Sequence, residues 1–127
     1  MKRYSTEPRQ AAYRRGLSAE SWAALLLRLK GYRILARRFA AEVGEIDLIA
    51  QRGRVLVFVE VKARRSFDDA LLSIHPRQRA RIVRGAHAYL ARNPKLAACD
   101  LRFDAILVAP RRLPRHVSAA FEAENIG

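Results

Sequence analysis

Apolar residues in "SAESWAALLLRLKG" (18–31) recur at helical spacing. Ala19, Trp22, Ala23, Leu26 and Leu29 form one stripe, which Leu25 and Leu27 widen. Ser18 can cap this helix and Gly31 can end it, with an earlier start near Pro8 also open. The period then shortens. "YRILARRF" (32–39) predicts a strand, and "GEIDLIAQ" (44–51) with "RVLVFVEVKA" (54–63) predicts a hairpin around Arg52-Gly53. "SFDDALLSI" shows no clean period and reads as loop. Pro76 suits the first turn of a helix over 76–92, with Ile82, Val83, Ala86, Tyr89 and Leu90 on its inner stripe. Arg77, Arg81 and Arg84 form a separate basic stripe. "NPKLAAC" connects to a last strand, "DLRFDAILVA" (100–109), and "PRRLPRH" leads to a tail. Helix, three strands, helix, strand is an α/β order: a single mixed β-sheet flanked by helices. The expected division is a flexible basic arm over 1–12, one domain over 13–121 and a tail over 122–127.

The strand pattern contains a contradiction. Glu45, Asp47, Glu60 and Lys62 interrupt runs of Val, Ile and Leu. Side chains alternate along a strand, so Val55, Val57, Val59 and Val61 share one face. That valine face is expected to be core, which leaves Glu60 and Lys62 together with Leu56 and Phe58 on the other. If Arg52-Gly53 forms the two-residue turn, Asp47 lies diagonal to Glu60; if Gly53-Arg54 forms it, Asp47 lies directly opposite. Either register brings the two carboxylates within roughly 5–8 Å at Cβ. Two close carboxylates resist joint ionisation, and a hard divalent cation such as Mg²⁺ or Mn²⁺ removes the conflict. Lys62 could then orient a water or stabilise developing negative charge.

Composition changes the picture in one respect. Lys and Arg number 25 against 12 Asp and Glu, a net charge of +13. Residues 1–40 carry net +8 and residues 76–127 net +6, while residues 41–75 carry net −1. An acidic island inside a basic chain suits a carboxylate site approached through a phosphate-binding surface. Nucleic acid is the first expected partner and an anionic membrane the second. The arginine pairs Arg37-Arg38, Arg64-Arg65 and Arg111-Arg112, with Arg77, Arg81 and Arg84, are candidate phosphate contacts. Cys99 is alone, so no disulfide framework is expected. The start lacks a signal-peptide pattern and no apolar run approaches ~18 residues, so a cytoplasmic protein without a membrane span is expected.

Asp47, followed across a hairpin by Glu60-Val61-Lys62, resembles the PD-(D/E)xK nuclease signature. "GEIDLIA", "VFVEVKARRS" and "LRFDAILVA" together resemble the YraN-like family of small bacterial proteins, over roughly residues 11–121. The resemblance implies a restriction-endonuclease-like core, related to Holliday-junction resolvases, that hydrolyses DNA phosphodiester bonds, with branched DNA among the substrates. It implies that Asp47 and Glu60 bind Mg²⁺ or Mn²⁺, that Val61 offers its backbone carbonyl, and that Lys62 assists hydrolysis. The proline of the signature is Ile46 here. The alternative is a nucleic-acid-binding module of the same fold that does no chemistry. The oligomeric state is open, with a homodimer among the options.

The neighbouring polar residues each admit two readings. Glu20 sits among Gly16, Ala23, Ala24 and Leu27 at helical spacing, where an acid is expected to point at a partner; the resemblance implies that it reaches the metal, directly or through water, and the other reading is a local salt bridge. Glu45 is favoured as a partner of Lys62 over a metal ligand. Gln78 either joins the site, where relatives are expected to carry Lys, or is helix-start polarity. Asp104 is expected to pair with Arg102 or another arginine. His75, His87 and His116 lack metal-ligand spacing and are expected to be ordinary.

Overall fold

The computed structural model describes residues 17–123. The expected arm over 1–12 and the helix start near Pro8 lie outside the described residues, as does most of the expected tail. Helix α1 spans Ala19–Leu29 and is capped by the Ser18 hydroxyl, which accepts from Ser21 N–H at 3.1 Å. It ends where Tyr32 N–H donates to the Leu27 carbonyl and Gly31 N–H to that of Arg28. This closure needs a left-handed residue, and Gly31 supplies it at φ 93°. Strands β1 (Arg33–Ala41), β2 (Gly44–Arg52) and β3 (Val55–Ala63) follow. The pairing Arg52↔Val55 makes Gly53-Arg54 the turn, so of the two expected registers the second is adopted. Gly53 occupies the first central position at φ 60°, where type II′ hairpins place glycine.

Two elements went unrecognised in the sequence. "SFDDALLSI" is not loop but contains a short helix, α2 (Phe67–Leu72). Ser66 caps it, accepting from Asp69 N–H at 3.0 Å; the Ser-x-x-Asp spacing is the signal that was there to be read. After α3 (Pro76–Arg92), a 3₁₀ turn (Pro94–Ala98) and β4 (Asp100–Val108), the chain forms a fifth strand, β5 (Arg115–Phe121), where only a tail was expected.

The sheet order is β1-β2-β3-β4-β5, with β3 and β4 parallel and the other pairs antiparallel. The segment from β3 to β4 carries α2 and α3 to one face, while α1 covers the other. Both faces are therefore core, which corrects the one-sided expectation for β3. Val57, Val59 and Val61 pack with Ala23, Ala24 and Leu27 of α1. Leu56 and Phe58, both fully buried, pack with α2 and α3 through Phe67, Ile82, Val83 and Tyr89. A strand buried on both faces reads as a continuous apolar run, as β3 does until Glu60. Leu29, expected on the inner stripe of α1, is 77 % exposed because the helix ends there.

Candidate active site

The strict alternation of β2 breaks at Asp47. Leu48 and Ala50 face α1 while Ile49 faces α3, yet Ile46 also faces α3. Regular β2–β3 pairing stops at the same place, at Leu48↔Val59. Beyond it, the Asp47 carboxylate stands in for a backbone acceptor: Val61 N–H donates to Asp47 Oδ2 at 2.8 Å. The opposing position on β1, Arg38, has a left-handed backbone at φ 56°. The sheet thus opens at Asp47, and the opening is the site.

A cleft of about 230 Å³ occupies it, lined by Asp47, Glu60, Val61 and Lys62 of the strands, Glu20 of α1 and Gln78 of α3, among others. Glu60 is buried, 7 % exposed. Its Oε2 accepts from Gln78 Nε2 at 3.0 Å and pairs with Lys62 Nζ at 3.3 Å. Asp47 is half-buried and has no cationic partner among the described residues. Burial pushes the Asp47 carboxyl well above the usual range, and the charge of Glu60 adds to it. Burial also raises Glu60, against the pull of Lys62. Two adjacent carboxylates, both held reluctant to ionise, are a charge conflict built into the fold. The structure brings Asp47, Glu60, Val61, Lys62, Glu20 and Gln78 to one place. No group of three or more His, Cys, Asp or Glu converges as a ready-made metal cage among the described residues. A divalent ion there would draw on two carboxylates, a carbonyl and water, a ligand set typical of Mg²⁺.

The rim is basic. Arg38 Nε pairs with Glu20 Oε1 at 2.8 Å, so Glu20 both lines the cleft and forms a salt bridge. Glu45 does not pair with Lys62, as was favoured; it pairs with Arg81 at 3.4 Å, because Glu60 already holds Lys62. Arg37 reaches Ser21 Oγ, Arg84 donates to the Val43 carbonyl and Arg64 to the Ala63 carbonyl. Arg65 and Arg77 are exposed. Of these seven arginines, Arg38 and Arg81 alone have a carboxylate partner among the described residues.

A second polar cluster lies away from the cleft. Asp104 is fully buried on β4 and accepts from Arg102 Nε and Nη2, each at 2.8 Å, and from Ala119 N–H at 3.0 Å. His116 Nε2 stands 2.7 Å from Asp104 Oδ2, while its Nδ1 faces Lys30 Nζ at 2.7 Å. Arg102 also donates to the Tyr32 hydroxyl. Burial alone would raise Asp104; hydrogen bonds from His116 and Arg102 overcome it and bring the carboxyl down to about 2. The bond to Asp104 holds Arg102 still more firmly protonated. The Arg102 pairing was expected from the sequence. His116 and Tyr32 were missed, since nothing in their spacing along the chain links them to Asp104.

An α/β sandwich whose sheet opens onto a carboxylate cleft is the class that fold and site define. Residues 19–108 match the model of the uncharacterised protein family UPF0102. Similar relatives include a UPF0102 protein of Methylorubrum extorquens (strain PA1), 59 % identical over 118 residues, covering 93 % of this chain and 92 % of the relative. Another, from Bradyrhizobium sp. (strain ORS 278), is 60 % identical over 115 residues, 91 % of this chain and 82 % of the relative. The chain belongs to the UPF0102 family. This meets the family-level expectation drawn from the three quoted segments. No helix among the described residues is long and apolar enough to cross a membrane.

Proposed function

We propose that the protein is a metal-dependent phosphodiesterase with a PD-(D/E)xK-like core that acts on nucleic acid, DNA first. The observation that carries this reading is Asp47, without a cationic partner among the described residues, beside buried Glu60, with Lys62 3.3 Å from Glu60, in one cleft. Burying two neighbouring carboxylates against one lysine costs stability unless a cation completes the site. Asp47 and Glu60 would hold Mg²⁺ or Mn²⁺. The Val61 carbonyl would join them, since a strand residue turns its C=O to the same side as its N–H, here toward Asp47. Glu20 would act through water. When bound, the ion supplies Lewis acidity and a water of lowered pKa.

The chain's own residues do the rest. Lys62 Nζ donates toward the attacking water or the phosphoryl oxygen; it cannot itself be a ligand, because a protonated amine has no lone pair. Gln78 fixes the Glu60 carboxylate from α3. Arg38 and Arg81 beside the cleft, with exposed Arg65 and Arg77, would hold the phosphate backbone and place the scissile group. One observation favours a second reading, a binding module that does no chemistry: Glu60 Oε2 is engaged by both Lys62 and Gln78. Calorimetric titration with Mn²⁺ separates the two. The proposal expects one site in the wild type and none in the Asp47→Asn, Glu60→Gln double variant, with the fold intact by circular dichroism. Equal affinity in both proteins removes the metal site from this cleft.

A further inference from the structure

The β4–β5 connection, residues 109–114, leaves the sheet beside the cleft. Leu107 pairs with Lys62 and Val108 with Ala63, and Arg64 N–H donates to the Val108 carbonyl at 3.0 Å. The connection reads "APRRLP" and is followed by Arg115. At its tip Leu113 is 83 % exposed, the most exposed large hydrophobic side chain among the described residues. Water does not favour such a side chain, and none of the described residues covers it.

The loop is also stiff and firmly seated. Pro110 and Pro114 restrict its backbone at both ends. Arg112 N–H closes a turn onto the Ala109 carbonyl. The guanidinium groups of Arg112 and Arg115 lie 4.7 and 4.6 Å from the centre of the Phe67 ring, which is buried at the start of α2. Cation–π contacts of this kind hold two arginines by their faces and leave N–H groups at the edges free to donate. No acidic residue occurs over 109–117, and neither Asp68 nor Asp69 of α2 pairs with these arginines among the described residues.

We propose that this loop is a nucleic-acid wedge: Leu113 packs against or between stacked bases of a bound duplex, while Arg111, Arg112 and Arg115 contact the flanking phosphates. A partner that suits an apolar tip ringed by cations is apolar inside and anionic outside. A base stack between two phosphate backbones has that layering, and inserted leucines can unstack a step and bend the helix. An anionic bilayer is layered in the same way. The loop emerges where β4 pairs with the cleft strand β3, at Lys62 and Ala63, and this favours nucleic acid, because a wedge at that end of the sheet would open the strand that the cleft receives. The inference rests on the proposed nucleic-acid partner but not on cleavage.

The test is therefore run in EDTA. Fluorescence anisotropy measures binding to a DNA duplex, and a 2-aminopurine in the same duplex reports unstacking. The expected result is a rise in 2-aminopurine emission with wild-type protein. That rise should be lost with Leu113→Ala and kept with Leu113→Met. Affinity of the alanine variant should fall roughly tenfold, as for loss of most of one buried leucine. Duplex binding with no emission rise, or the same rise with Leu113→Ala, overturns the wedge and leaves the nucleic-acid reading standing. No duplex binding by the wild type overturns both. A third arm uses phosphatidylglycerol vesicles: binding that Leu113→Ala abolishes there, but not on the duplex, assigns the tip to a membrane surface and overturns the wedge.

Discussion

Helix α3 can bring Gln78 to Glu60 only because its backbone approaches the start of β2 without side chains between them. The contact is glycine on glycine. A Cβ placed on Gly44 would lie 2.6 Å from Gly85 N and still closer to the Arg81 carbonyl oxygen. Both obstacles are backbone, so no side chain can rotate away. Ordinary contact requires ~3.5 Å, so α3 would have to retreat by roughly 1–1.5 Å. Gly44→Ala should therefore destabilise the protein by roughly 1–3 kcal/mol, the range for overpacking a core. That corresponds to a fall in Tm of about 4–12 °C for a chain of this size. The 3.0 Å bond from Gln78 to Glu60 should lengthen out of hydrogen-bond range, and Mn²⁺ affinity should change with it. Gly85→Ala is the internal control. Its Cβ would meet Ile46 Cγ1 at 3.1 Å and Glu45 N at 3.2 Å, a milder crowding. Alanine in a helix gains about 1 kcal/mol over glycine, which offsets it, so the net change should stay within about 1 kcal/mol. Thermal unfolding by circular dichroism reads both variants. A Tm for Gly44→Ala within about 1 °C of wild type, or below it by no more than Gly85→Ala, would refute the claim that this contact sets the position of α3.

Asp104 makes the fold acid-sensitive. Its folded pKa, about 2, lies below the unfolded value near 3.9, so its contribution is fully present above the unfolded value and lost as pH falls toward 2. The size is roughly 2–3 kcal/mol, and the Tm of Asp104→Asn measured against pH should lack that part of the acid decline. At neutral pH the same variant leaves Arg102 and His116 facing an uncharged group and should cost roughly 3–5 kcal/mol by urea unfolding; a near-neutral result would show that the cluster does not stabilise the fold. Net charge of +13 implies phosphate-dominated binding, so duplex affinity should fall roughly 10³-fold between about 50 and about 200 mM NaCl. A flat salt profile in the same anisotropy assay would exclude that mode.

The sheet and two long helices were legible because their signals are local: period, cap and turn residues. α3 is the clearest case, starting at Pro76 and ending at Arg92 as its stripe predicts. β5 was obscured because "PRRLPR" reads as punctuation and the strand itself, "RHVSAAF", alternates weakly; its bulge at Ala119, φ 53°, serves the buried Asp104. The grouping of Asp47, Glu60 and Lys62 followed from hairpin parity, which holds in either two-residue register. The break in alternation at Asp47 did not follow, since it arises from the carboxylate taking a backbone bond from Val61, a tertiary choice with no local signature. Glu45 was mispaired for the same reason. Its partner Arg81 sits 36 positions away on another element, and the packing of α3 on β2, close at Gly44 and Gly85, brings the two together.

If this cleft does chemistry, Lys62 is its assisting group. Single-turnover cleavage of labelled linear, single-stranded and four-way DNA, with Mg²⁺ or Mn²⁺, tests it when wild type is run beside Lys62→Met. That change keeps most of the side-chain stem and removes the charge that pairs with Glu60. The account predicts cleavage of at least one substrate by the wild type. It predicts a loss on the order of 10²–10³ in rate for Lys62→Met, as for removal of a transition-state donor, with Mn²⁺ binding retained. Equal rates for the two proteins, or no cleavage of any substrate by the wild type with either metal, would contradict it.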